Sequence, residues 1–156
     1  GVDAVRNKFF QMVATDHGKY SSIEYQTEDG TDAAEIIEDS LDFIPYAPEY
    51  LPDGFSLTER ETMEMMGFST YENGSNGMIR ISQHEIGNTS IHVDTENAQT
   101  ENVLVDGGKA MYILKNGYQT LIWDNDRYSF LMLVSDAPEL GQADLIQIAE
   151  SMTAGK

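Results

Sequence analysis

Cysteine is absent from this 156-residue chain, which excludes a disulfide scaffold, a thiolate zinc site and a cysteine nucleophile. It leaves the compartment open, because many exported bacterial proteins and some cytoplasmic ones avoid cysteine. Basic residues are scarce as well: 9 Lys and Arg stand against 27 Asp and Glu, a formal net charge of −18. A chain so acidic has little with which to neutralise phosphates, so nucleic acid is not an expected partner. The same charge speaks against an anionic membrane surface as partner. Long apolar runs are missing too. The longest, Phe130-Leu131-Met132-Leu133-Val134, falls far short of the roughly 20 residues that span a bilayer. The sequence begins with Gly1 rather than Met, so a processed or cut segment is expected, with any signal or anchor outside it.

The chain is 40% hydrophobic, too apolar for a disordered acidic tail, and its length suits one domain with one core. The charge is unevenly spread. Thirteen of the acids and a single base, Arg60, lie between Glu24 and Glu64. A strongly solvated outer face is expected there. No internal repeat or low-complexity tract is present.

Residues 1–18 carry Val2, Val5, Phe9, Met12 and Val13 at helical spacing, with Gly18 placed to close the helix. The same stretch also reads as a hairpin, Lys8 to Val13 and Tyr20 to Gln26 around His17-Gly18-Lys19; the helix is preferred. Asp32-Ala33-Ala34-Glu35 looks like a capping box ahead of an apolar stripe at Ala33, Ile36, Ile37, Leu41 and Ile44, which predicts a helix over 32–43. Pro45, Pro48 and Pro52 then enforce an extended connection that ends in a Pro52-Asp53-Gly54 turn.

Strand periodicity takes over from Phe55. Ser56 to Tyr71 runs without a strong breaker until Asn73-Gly74. Met78 to Ile86 follows, with Ile79 and Ile81 on one face and Arg80 and Ser82 on the other. Ala110 to Lys115, Asn116-Gly117, Tyr118 to Trp123, Asp124-Asn125-Asp126 and Tyr128 to Val134 make an antiparallel meander. Its last strand is apolar on both sides and should be central. Asp136-Ala137-Pro138-Glu139 then offers a cap to a helix whose Leu145, Ile148, Ala149 and Met152 form one buried stripe. The fold class is therefore α+β: an antiparallel, meander-rich, curved sheet with a C-terminal amphipathic helix and one or two N-terminal helices packed on it. Trp123 and Leu145 are expected to be structural.

The chemistry-bearing residues do not assemble into a recognisable site. His17, His84 and His92 belong to no His-Glu-x-x-His helix. His92 and Asp94 share one side of a possible strand and His84 could be near, but sheet-surface residues account for all three. Asp124-Asn125-Asp126 resembles the start of a calcium loop, yet Arg127 and Tyr128 break the pattern and a hairpin turn explains it. There is no Gly-x-Ser-x-Gly elbow, and Gly107-Gly108 reads as a turn. Met63, Met65 and Met66 with Phe68 are read as core filling rather than a binding surface. Tyr112, Tyr118, Trp123 and Tyr128 are read as cross-strand packing rather than a ligand platform. No catalytic, cofactor-binding or metal-binding residue is assigned, and no cofactor is expected.

An ordered set of short motifs carries a resemblance. Tyr50-Leu51-Pro52-Asp53-Gly54-Phe55 is followed by Met78-Ile79-Arg80-Ile81-Ser82-Gln83. Gly107-Gly108-Lys109-Ala110-Met111-Tyr112, Leu121-Ile122-Trp123-Asp124 and Ile148-Ala149-Glu150-Ser151-Met152 come next. The set resembles the domain of unknown function 4367 family of Gram-positive bacteria over residues 46–153, with residues 1–45 a segment packed on the domain or leading into it. The opening and closing motifs are also similar to the C-terminal domain of periplasmic sigma-E regulators. The resemblance implies the extracytoplasmic part of a membrane-anchored or lipoprotein-type protein, often with an anti-sigma-like cytoplasmic end. It implies no catalytic residues.

The function expected is a non-catalytic sensory or protein-interaction domain, whose partner is an envelope protein or a small ligand. The alternatives are a carrier of an apolar lipid or peptide held between curved sheet and helices, and an enzyme acting on cell-wall glycans through two carboxylates. Contact with a membrane is expected only through an anchor outside this segment.

Overall fold

A computed structural model describes residues 10–27, 42–86 and 91–155. In chain order the strands are β1 (Phe10–Asp16), β2 (Tyr20–Thr27), β3 (Tyr46–Pro48), β4 (Ser56–Thr62), β5 (Met66–Glu72) and β6 (Met78–Glu85). There follow β7 (Ile91–Asp94), β8 (Gln99–Val105), β9 (Gly108–Lys115), β10 (Tyr118–Asp124) and β11 (Tyr128–Ser135). Helix α1 (Gln142–Glu150) and strand β12 (Met152–Ala154) close the fold.

The centre is a seven-stranded antiparallel sheet of order β4-β5-β6-β11-β10-β9-β8. The apolar β11 takes the middle position, as its two-sided hydrophobicity predicts. The meander forms within a residue or two of its expected bounds. Asn116 and Gly117 both adopt positive φ, 51° and 81°, the geometry that Asn-Gly favours in a two-residue hairpin. The β8–β9 hairpin uses Asp106 and Gly107 in the same way, at φ 50° and 78°. Ser56 to Tyr71, continuous in the sequence, is broken into two strands by a turn at residues 63–65. Edge strand β4 is exposed along its whole length and carries a register shift between Leu57 and Glu59. A bulge and charged side chains on an edge discourage further strand addition.

One face of this sheet packs on α1. Tyr71, Ile79, Ile81, Leu121, Trp123, Phe130, Met132 and Val134 meet Leu145, Ile148 and Ala149 in a single core. Trp123 stacks on Phe130, with ring centroids 5.1 Å apart. The cap of α1 differs from expectation. Asp136 takes a positive φ of 53° and residues 137–140 form a turn closed by Leu140 N–H donating to the Ala137 carbonyl. The helix instead starts after Gly141, whose N–H donates to the Asp144 carboxylate at 2.8 Å. The extended proline segment becomes β3, which pairs with β12. Gln83 pins it to the sheet: its Oε1 accepts Tyr46 N–H at 2.8 Å and its Nε2 donates to the Ile44 carbonyl at 2.8 Å.

The opposite face is covered by a second, three-stranded sheet of order β1-β2-β7. Met12, Ile23, Tyr25 and Ile91 pack against Met111, Ile113, Ile122 and Ile86. The N-terminal helix preferred from the spacing of Val5, Phe9, Met12 and Val13 is therefore not formed over residues 10–16, which are strand. Asp16 Oδ1 accepts Gly18 N–H at 2.7 Å, and Gly18 has φ 92°, so the turn chemistry decides for the hairpin. The helix expected over 32–43 lies almost wholly outside the described residues; Asp42 and Phe43 are irregular. The described residues form a mostly antiparallel sheet structure with one C-terminal helix and no N-terminal helix.

Candidate functional site

The three-stranded sheet is narrower than the face it covers, and a groove of about 450 Å³ runs along its β7 edge. Strand alternation makes the floor. Ile113 on β9, Thr120 on β10 and Leu131 and Leu133 on β11 point to the same side of the large sheet. Leu131 and Leu133 stay partly exposed in the middle of a strand otherwise buried. The wall is β7, with His92, Val93 and Asp94. Lys115 and Tyr118, facing each other beyond the β9–β10 turn, form the rim, and Tyr118 is exposed.

The charges in the groove neutralise one another. Lys115 Nζ donates to Asp94 Oδ1 at 2.6 Å, which ties the large sheet to β7. That hydrogen bond holds the Asp94 carboxyl below its ordinary range, against its desolvation and with help from the Glu96 amide. Among the described residues Asp94 is the one carboxylate lining the groove, so the paired carboxylates of a glycosidase are not assembled there. An aromatic group flanks the wall: His17 stacks on Tyr20 at 4.6 Å, and Tyr20 lies 5.3 Å from His92.

On the other face the described residues between sheet and helix are closely packed. The interface between sheet and α1 is filled, with Leu121, Met132, Leu145 and Ile148 all inaccessible to solvent. A concavity under β3, beside Arg60 and Gln83, holds about 20 Å³, room for a water and little more.

The other candidate residues fall as follows. His92 and Asp94 share a face of β7, whereas His84 lies on β6 in the large sheet; among the described residues no three His, Asp or Glu side chains form a metal cluster. Burial lowers the pKa of His84, so its imidazole is neutral near pH 7. Asp124-Asn125-Asp126 is a hairpin turn. Asn125 Oδ1 accepts the N–H of Arg127 and of Tyr128, and Asp124 Oδ1 accepts that of Asp126. Gly107 is a turn residue and Gly108 begins β9.

Trp123, Tyr112 and Tyr128 are core residues; only Tyr118 of that set reaches solvent and the groove. Burial raises the Tyr112 phenol, whose hydroxyl donates to Gln119 Oε1 at 2.7 Å. The methionine cluster departs from expectation. Met63 and Met65 are each 44% exposed at the tip of the β4–β5 hairpin, not in the core. The groove itself was missed in the sequence because it depends on a contact between distant strands. Its one local signal is that β11 is apolar on both sides although a narrow second sheet covers only part of it.

One family profile, described as a domain of unknown function (DUF4367), matches residues 45–152. No curated protein matches the chain.

Proposed function

The chain belongs to the DUF4367 family, and from that premise we propose that it is a non-catalytic interaction domain. It acts in the extracytoplasmic part of a membrane-anchored Gram-positive protein, with a link to anti-sigma regulation. The observation that carries the reading is the groove along β7. Its apolar floor of Ile113, Leu131 and Leu133 and its polar rim suit the capture of a ligand or a partner segment, and its volume falls within the range of ligand sites. The mutual neutralisation of Asp94 and Lys115 supports binding over proton-transfer chemistry. Among the described residues no helix is long and apolar enough to cross a membrane.

A second reading, capture of a small apolar molecule, is favoured by the same floor. It would use the β7 groove, because the sheet–helix interface is filled by Leu145 and Ile148.

The test is site-specific photo-cross-linking in the full-length protein within its own cells. A probe at Thr120, on the groove floor, should capture a discrete partner or ligand that Leu133→Arg abolishes. A probe at Glu59, on edge strand β4, should not. Equal capture at both positions, or none at Thr120, overturns the groove assignment. Protease added to intact protoplasts should cleave the domain; full protection would overturn the extracytoplasmic placement.

A further inference from the structure

The large sheet places three soft or borderline donors in one row on the face opposite α1. Met66 on β5 is the direct cross-strand partner of His84 on β6. The β4–β5 hairpin continues the row. Thr62 pairs with Gly67, and the next pair outward is Met63 with Met66, closed by Met63 N–H donating to the Met66 carbonyl at 2.7 Å. Directly opposed residues share a face, so Met63, Met66 and His84 stand side by side across three adjacent chain segments. We infer that this row, two thioether sulfurs and one imidazole, is a binding site for a soft monovalent cation of the Cu(I) class.

Several features support the inference. Adjacent strands are ~4.8 Å apart, and methionine's three rotatable bonds let both Sδ atoms converge over the middle position. The two thioether donors select Cu(I) over Mg²⁺ and Ca²⁺, which take oxygen ligands, and over Zn²⁺, which takes thiolate, imidazole and carboxylate. The His84 imidazole makes no hydrogen bond, ion pair or ring contact among the described residues, although the residue is half-buried. Met63 is exposed and Met66 half-buried, so the row has an open side through which a cation enters. Glu64 in the turn and Glu61 on the same face as Met66 add negative potential at that entrance. Met63 and Met65, each 44% exposed at the hairpin tip, stand outside both core clusters of the described residues, which is the sequence feature the core reading leaves over.

The inference stands independently of the groove and is tested on the same chain. Silver(I), a redox-inert stand-in, is titrated into protein carrying ¹³C-methyl methionine, in buffer free of chloride and thiols. The methyl signals of Met63 and Met66 and the ring signals of His84 should move together to a single saturable end point, while those of buried Met111 and Met132 should not. Met63→Leu, Met66→Leu and His84→Gln should each weaken silver binding at least about tenfold. Met65→Leu should leave it unchanged.

Circular dichroism and thermal melts without silver establish that each variant is folded. Met63→Leu, at an exposed position, keeps the test decisive if the Met66 variant is unstable. Cu(I) held anaerobically by a chromophoric chelator should then pass to the wild type and not to Met63→Leu. Two results overturn the site. One is the absence of saturable shifts. The other is a response confined to Met63 and Met65 with His84→Gln binding as tightly as the wild type, which marks surface contact with thioethers only.

Discussion

Leu145→Ala tests the seating of α1, the one helix among the described residues. At nine residues α1 is too short to be stable by itself, so its existence rests on the stripe it buries. Leu145 lies at 0% exposure in the core that holds Trp123 and Phe130. Truncation to alanine removes three carbons, at about 0.8 kcal/mol each, and leaves a cavity because the sheet beneath cannot follow the helix. The expected loss is about 3–4 kcal/mol, offset by only a few tenths from alanine's helix propensity. With a urea dependence of about 2 kcal/mol/M, the midpoint should fall by roughly 1.5–2 M. Far-UV circular dichroism and the emission of Trp123, the single tryptophan, should report the same shifted transition. Gln147→Ala, on the exposed side of the same helix, is the control and should move the midpoint little. If Leu145→Ala behaves like Gln147→Ala, or if the helix signal melts before Trp123 responds in the wild type, α1 is not docked as described.

Three further outcomes follow from particular contacts. Gly117→Ala places a side chain in open space but at φ 81°, so backbone strain alone should cost about 1–2 kcal/mol in urea unfolding. Tyr128→Phe removes the hydroxyl that accepts Ile44 N–H at 2.7 Å, and should cost about 1–3 kcal/mol and speed proteolysis near Ile44, where the chain enters β3. His84 has its pKa lowered by burial, so the unfolded chain binds the proton first as pH falls. Its contribution is full at high pH and is lost as pH falls below its ordinary value of about 6.5. In chelator-treated samples the urea midpoint should decline from pH 7.5 to 5.5 more steeply in the wild type than in His84→Gln; equal slopes would refute this.

The parts of the fold that were legible in the sequence are those in which each residue's local signal and its tertiary role agree. Asn116-Gly117 demands a two-residue turn, and the apolar residues on both sides of it demand strands, so the meander follows directly. The N-terminal hairpin was ambiguous because β1 is an edge strand whose clear core contribution is Met12, at 3% exposure. Met12 is the one buried residue among the β1 side chains described, residues 12–16, and Val5, Phe9, Met12 and Val13 fall at the spacing of a helical stripe. Asp16 and Gly18 were the better evidence, since a carboxylate bonded to the amide two residues on and a positive φ define a turn.

The helix cap was misplaced for a related reason. Asp136 and Pro138 resemble a helix start, but Leu140 and Ala137 are core residues that hold this stretch as a turn. The groove was not legible at all. Its floor is set by register among β9, β10 and β11, and its wall by β7 pairing with β2, more than sixty residues earlier in the chain.

That pairing bears on how binding at the groove would be controlled. The floor and the β7 wall lie inside the family match, residues 45–152, but β1 and β2 lie before it. β7 has four residues and is hydrogen-bonded through β2, with Ile23 opposite Ile91 and Ser22 opposite His92. A four-residue strand has too little pairing and too little apolar surface to hold its place alone. The hairpin supplies both: Ile23 is fully buried, and Met12 and Tyr25 pack with it over Met111 and Ile122. The Lys115–Asp94 bridge adds one further tether at the groove rim, exposed enough to be screened by salt. The wall is therefore set mainly by apolar packing from a segment outside the matched domain. Loosening that packing, as Ile23→Ala would, should weaken capture at Thr120 while leaving the sheet–helix core intact. Unchanged capture in a variant whose hairpin amides exchange freely would show that β7 holds the wall without it.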